Sequence, residues 1–174
     1  MNNPKDYSVQ DLLRLPGQGE QVNEMIIKGR ADELDGQFSI METVLQPKMM
    51  ISPHHHENEA QAVYVISGEL EFEVGGDGGL RFTAPAGSYV IKPRRLQHCL
   101  WNATNEPARY IELSGGQGFE DFVYDAAETN ANPIKIKRLE DVHQTFFAIN
   151  RIPKLMTQNR LKGLHGMTRS ASET

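Results

Sequence analysis

Three histidines stand in a row at positions 54–56, and a fourth stands at position 98. On an extended chain, residues i and i+2 face the same side. His54 and His56 therefore share a face, and His55 points away from it. Two imidazoles on one face make half of a metal site, and a third ligand often comes from a neighbouring strand. Imidazole suits zinc, iron, nickel, copper and manganese. Gln61 follows on the same stretch and shares its face with Val63 and Val65. That places an amide on the core side of a strand, which is costly unless a metal or a hydrogen bond partners it. His98 faces with Leu100 and Asn102, while Cys99 and Trp101 face the other way.

These residues need strands to hold them, and the sequence supplies them. From Val22 onward, short β-favouring runs follow one another, each closed by Gly, Pro or Asn. They are Val22–Lys28, Phe38–Leu45, Met49–Ser52, Gln61–Ser67, Glu69–Val74, Leu80–Thr83, Tyr89–Lys92, His98–Asn102 and Arg109–Ser114. About ten short strands at regular spacing indicate an all-β antiparallel sandwich or barrel. Gly75–Gly79 reads as a hairpin turn. After Gly118 the period changes. Phe119–Glu128 carries apolar residues at helical spacing, and Leu139–Ile149 reads as a second helix. Near the N-terminus, Asp11–Leu15 can form one helical turn before Pro16.

The 174 residues suit one domain, divided into an N-terminal arm (1–21), a β-barrel (22–115), a helical C-terminal extension (116–150) and a basic tail (151–174). The single cysteine, Cys99, excludes an internal disulfide and a Cys-rich zinc module. The net charge of −5 argues against a nucleic-acid or anionic-membrane partner. No run approaches a membrane span, and no signal segment is visible, so a cytoplasmic location is expected. Charge is uneven: residues 151–174 carry a net +4 and residues 1–150 a net −9. Such a tail can dock on the acidic body or on a second copy. Its lack of pattern favours the plainer reading of an exposed, mobile segment.

The spacing of these residues resembles the cupin superfamily. Its first motif, G-x5-H-x-H-x3,4-E-x6-G, fits at His54, His56 and Gly68, with Lys48 in place of the opening Gly and Gln61 in place of Glu. Its second, G-x5-P-x-G-x2-H-x3-N, fits at Gly87, Pro93, His98 and Asn102, with Arg95 in place of Gly. The flanking residues, such as Tyr64-Val-Ile-Ser-Gly-Glu-Leu, resemble the single-domain, quercetin-dioxygenase-like cupins in particular. The resemblance covers about residues 36–125. It implies a cupin double-stranded β-helix, a jelly-roll barrel, with short C-terminal helices and a homodimeric habit. It also implies a divalent transition metal (Fe, Mn, Ni, Cu or Zn) held by His54, His56 and His98, with Gln61 as fourth ligand or as partner of a bound water.

The glutamine alters the chemistry. An amide oxygen is neutral and scarcely basic. Three imidazoles and an amide leave the full +2 on the metal, which weakens binding and sharpens Lewis acidity. The base thought to deprotonate substrate in the quercetin-dioxygenase-like cupins is then missing. The activity implied is a small-molecule enzyme of dioxygenase type whose substrate binds by a hydroxyl or carbonyl oxygen. A metal-dependent lyase, isomerase or cyclase, and a non-catalytic ligand-binding module, are the alternatives. Val63, Val65, Leu70, Phe72 and Leu100 are the expected apolar lining, and Tyr64 and Trp101 are expected to pack away from the metal. Glu57 and Glu59 read as solvated loop carboxylates, Arg94 and Arg95 as exposed turn charges, and His143 and His165 have no assigned role.

Overall fold

The computed structural model describes residues 7–129 and 132–166. A single turn of helix, α1 (Val9–Leu12), precedes twelve strands, three further α-helices and two short 3-10 helices among the described residues. The first strands are β1 (Glu20–Val22), β2 (Met25–Gly29), β3 (Phe38–Leu45), β4 (Met49–His56), β5 (Gln61–Ser67) and β6 (Glu69–Val74). β7 (Leu80–Pro85), β8 (Tyr89–Lys92), β9 (His98–Trp101) and β10 (Ala108–Gly115) complete the run. The stretch read as one strand over Val22–Lys28 is instead parts of two. Asn23, at φ +51°, turns the chain so that Val22 pairs with Met25. Asn tolerates that left-handed conformation better than most residues.

Two sheets face each other as a barrel. One runs β1-β2-β3-β10-β5-β8. The other runs β11-β4-β9-β6-β7, where β11 is Thr145–Phe147. Burial alternates strictly along β10, as it must where one face meets the core and the other does not. β9 is buried on both faces because the chain returns to cover its outer side. Leu45, Val63, Val65, Leu70, Phe72 and Leu100 belong to one packed core inside the barrel. Between Ile51 and His54 the pairing of β4 with β9 shifts register. Such a bulge re-aims side chains, and Pro53 sits in it, where a missing N–H is tolerated.

After β10, α2 (Gly118–Glu128) lays Phe119, Phe122 and Val123 against Val22, Ile27 and Met41. The second helix lies earlier than its periodicity suggests. α3 runs Pro133–His143, with the Asn132 side chain accepting from the N–H groups of Ile134 and Lys135. Gln144, in the left-handed conformation, ends it. Thr145–Phe147 then becomes β11, pairing antiparallel with His54–His56. A β-branched residue and two aromatics favour a strand wherever an edge is free to receive them.

The described part of the basic tail is not an exposed segment. α4 (Ile152–Asn159) buries Leu155 against Met50, Cys99 and Trp101, and β12 (Gly163–Leu164) runs parallel to Met49–Met50. Arg151 pairs with the buried Glu73, and Lys154 reaches Asp77 at 2.8 Å. Acidic groups on the body and apolar side chains under the helix together hold it down. Residues 167–174, with Arg169 and Glu173, lie outside the described residues. Among the described residues, no helix is long and apolar enough to cross a membrane.

Candidate metal centre

His54 and His56 come from β4 and His98 from β9, where His54 and His98 are direct cross-strand partners. All three are buried, and one ring nitrogen from each lies within 4.8 Å of the others. Their other nitrogens are already occupied. His54 Nδ1 lies 2.6 Å from the Ser52 carbonyl and His98 Nδ1 2.9 Å from the Leu96 carbonyl. Carbonyls only accept, so both Nδ1 atoms carry the hydrogen and both Nε2 atoms carry a lone pair. His56 Nδ1 meets the Thr145 hydroxyl at 3.1 Å. The Nε2 atoms of His56 and His98 are buried without a hydrogen-bond partner among the described residues. Burial, followed by the positive charge of Lys92, pushes His54 down to about 3 and His98 well below its usual value. His56 is lowered by burial, then by His54 and Lys92. The rings are therefore neutral near pH 7, the form that binds a metal.

Gln61 lies on β5 against His56. Its Nε2 donates to the Ser114 hydroxyl at 3.3 Å, and its Oε1 has no partner among the described residues. Three imidazole nitrogens and one amide oxygen, buried and largely without partners, fit a divalent transition metal in both number and type.

Two charged groups near the histidines depart from the sequence reading. Glu59 is buried rather than solvated, because the N-terminal turn of α2 lands on it and the backbone N–H groups of Gly118 and Phe119 bond to it. Burial outweighs those bonds and pushes its carboxyl up to about 7. One of its oxygens is 3.6 Å from His56 Nδ1. Glu57 stays at the surface, bonded to the exposed Arg95 at 2.6 Å. Lys92, which the motifs did not single out, is 2 % exposed and forms a 2.6 Å ion pair with Glu112. It sits opposite Gln61 across the β5–β8 pairing. The available signal was parity: Lys92 shares a face with Val90, so a cation points inward.

His55 faces away from the cluster, stacked on Phe146 at 5.4 Å. Tyr64 packs on Tyr89 at 4.6 Å, and Trp101 lies under α4. Arg94 is exposed and does not line the cavity beside the histidines. His143 bonds Asp125 at 2.7 Å. The cavity, of about 130 Å³, is not lined by Val63, Val65, Leu70, Phe72 and Leu100, which pack solidly elsewhere in the barrel. Its apolar wall comes from Val22 and Met25 of the first hairpin, Ile51 of β4, Phe119 and Phe122 of α2, and Phe147 of β11, with His54 opening onto it. Motif spacing could not find these residues, because the segments outside the motifs supply nearly all of them.

Residues 41–114 match the family model described as a cupin domain. Among solved structures, one similar to this chain is a predicted oxalate decarboxylase from Thermotoga maritima, at 18% identity and a TM-score of 0.50, covering 53% of this chain and 78% of that one. KdgF from a Halomonas species aligns at 17% identity and a TM-score of 0.49, over 59% of this chain and 88% of that one. An uncharacterized Klebsiella pneumoniae protein with a double-stranded β-helix domain aligns at 20% identity and a TM-score of 0.47, over 63% and 88%. No curated protein matches the chain.

Proposed function

We propose that this chain, whose residues 41–114 match the cupin-domain model, is a metal-dependent enzyme acting on a small organic molecule. The substrate binds by a hydroxyl or carbonyl oxygen beside His54, His56 and His98. One observation carries the reading: the Nε2 atoms of His56 and His98 and the amide oxygen of Gln61, which lies against His56, are all buried without a hydrogen-bond partner among the described residues. A metal bound there supplies Lewis acidity, and a redox-active one also supplies oxygen chemistry. The resemblance of the motifs supports a dioxygenase. The neutral donor set supports polarisation of a carbonyl, and hence a lyase, isomerase or cyclase, and we adopt this second reading. The Ser52 and Leu96 carbonyls and the Thr145 hydroxyl fix the ring orientations. Phe119, Phe122 and Phe147 give the bound molecule an apolar wall.

The test is elemental analysis of protein purified without a His tag, then loaded with manganese, iron or nickel. About one equivalent per chain is expected, and His98→Ala should lose it. Less than about a tenth of an equivalent, or full occupancy in His98→Ala, overturns the assignment. Oxygen uptake during turnover of a carbonyl substrate would return the reading to the dioxygenase type.

A further inference from the structure

The cavity beside His54 has a second histidine in its wall, one that no motif includes. His165 follows β12, and its backbone N–H donates to the Met50 carbonyl at 2.9 Å, which fixes it beside β4. From there it meets Glu24, at the tip of the β1–β2 hairpin. His165 Nδ1 is 2.8 Å from a Glu24 carboxylate oxygen, and the Gly166 N–H donates to that same oxygen at 2.6 Å. The His165 side chain is only 6% exposed. Its far nitrogen, Nε2, is buried without a partner among the described residues. His54, Glu24 and His165 all line the same cavity.

A carboxylate that accepts from Nδ1 holds the hydrogen there and leaves a lone pair on Nε2. A buried lone pair without a donor is costly unless a ligand supplies one. A base within reach of a cavity and oriented by a third group is the arrangement that proton-transfer chemistry uses. We propose that Glu24 and His165 form a general-base dyad for the substrate bound beside His54, with His165 Nε2 as catalytic atom and Glu24 as positioning residue. The dyad would replace the base that Gln61 cannot be, and in this respect the proposal rests on the metal-site reading above. Burial lowers the tendency of His165 to hold a proton and Glu24 raises it, so the two effects oppose each other.

The substrate class follows from the walls. A cavity of about 130 Å³ lined mainly by apolar side chains takes a mostly apolar molecule on the order of one benzene ring in size. It carries a carbonyl with an acidic hydrogen beside it. His165 Nε2 takes that proton: the C–H bond breaks, an N–H bond forms, and the electron pair passes to the carbonyl oxygen. Return of the proton to a neighbouring atom gives an isomer, with nothing else consumed. On its outer side the dyad borders a more polar hollow lined by Gln21, Glu42 and Gln46, through which the proton can exchange with water.

The test is nitrogen-15 imidazole NMR on the full chain, metal-free and metal-loaded, with phenol as a hydroxyl-bearing probe of cavity size. His165 should show the Nδ1–H tautomer, and saturating phenol should move its Nε2 signal toward the hydrogen-bonded position in both states. Glu24→Gln should remove the tautomer preference, and Glu24→Asp should restore part of it. A structural clamp would leave Nε2 indifferent to phenol. An Nε2–H tautomer in the wild type, or no Nε2 response at saturation, overturns the dyad. Metal content separates the two readings: His165→Gln should bind metal as the wild type does. A wild type without metal but with the phenol response would sink the metal reading and leave the base in place.

Discussion

Gln61 sets the chemistry at the scale of single residues. Its amide oxygen is buried beside His56 without neutralising a metal, so Gln61→Glu adds a charge where only neutral donors stand. The expected outcome is metal binding tighter by about ten-fold or more, read by chelator competition; unchanged affinity would mean that residue 61 does not face the metal. Position 61 was legible because its parity matches Val63 and Val65. Glu59 was not, since what buries it is the Gly118–Phe119 turn, far along the chain. A second prediction concerns pH. In the unfolded chain His54 gains its proton near pH 6.5, but in the folded, metal-free protein only near 3. The depressed value means that the stability it contributes is full above about pH 6.5 and is lost as pH falls towards 3. For this one group, the unfolding free energy of the metal-free protein, from denaturant titrations, should decline below pH 6.5 with a slope of about 1.4 kcal/mol per pH unit. A flat profile between pH 6.5 and pH 4 would show that His54 is not buried neutral.

At the scale of elements, β4 does most of the positioning, and its neighbours determine how well. The bulge between Ile51 and His54 lets both residues line the same cavity although their spacing would place them on opposite faces of a regular strand. β11 lies along the edge of β4 and brings the Thr145 hydroxyl to His56. Thr145→Val keeps the β-branched shape but removes that bond. It should weaken metal binding by roughly ten-fold while leaving the circular dichroism spectrum unchanged, because a group that orients a ligand tunes affinity without supplying it. Equal affinity in the variant would show that β11 serves only as cover. β11 also marks where sequence reading stopped. Within Leu139–Ile149 the apolar residues keep a helical spacing, and their periodicity holds no trace that the exposed edge of β4 would receive Thr145–Phe147. The barrel strands were legible because each carries its own alternation and ends at its own turn residue. An edge strand recruited by tertiary contact carries neither signal.

For the whole molecule, the question is what closes the outer face of the second sheet. His98 and Leu100 face inward along β9, while Cys99 and Trp101 face outward beneath α4, in contact with Leu155 and Met50. Cys99 and Trp101 are the only cysteine and the only tryptophan in the chain, so both report on one contact. Burial, with Glu73 nearby, pushes the Cys99 thiol up to about 12, which leaves almost no thiolate at neutral pH. The docked state should therefore resist thiol reagents. Leu155 is 1% exposed, and Leu155→Ala removes the side chain at the centre of that contact, a change worth about 2–5 kcal/mol in a packed core. The exposed Lys154–Asp77 pair is too peripheral to hold α4, since such pairs contribute about 0–1 kcal/mol. The variant should label at Cys99 at least about ten times faster and shift Trp101 emission to the red, because undocking exposes both to water together. Metal content should hold, since the three histidines lie on the opposite face of the same two strands. Unchanged labelling would mean that the C-terminal segment is fastened elsewhere. Loss of metal alongside faster labelling would mean that the cover and the metal centre unfold as one unit.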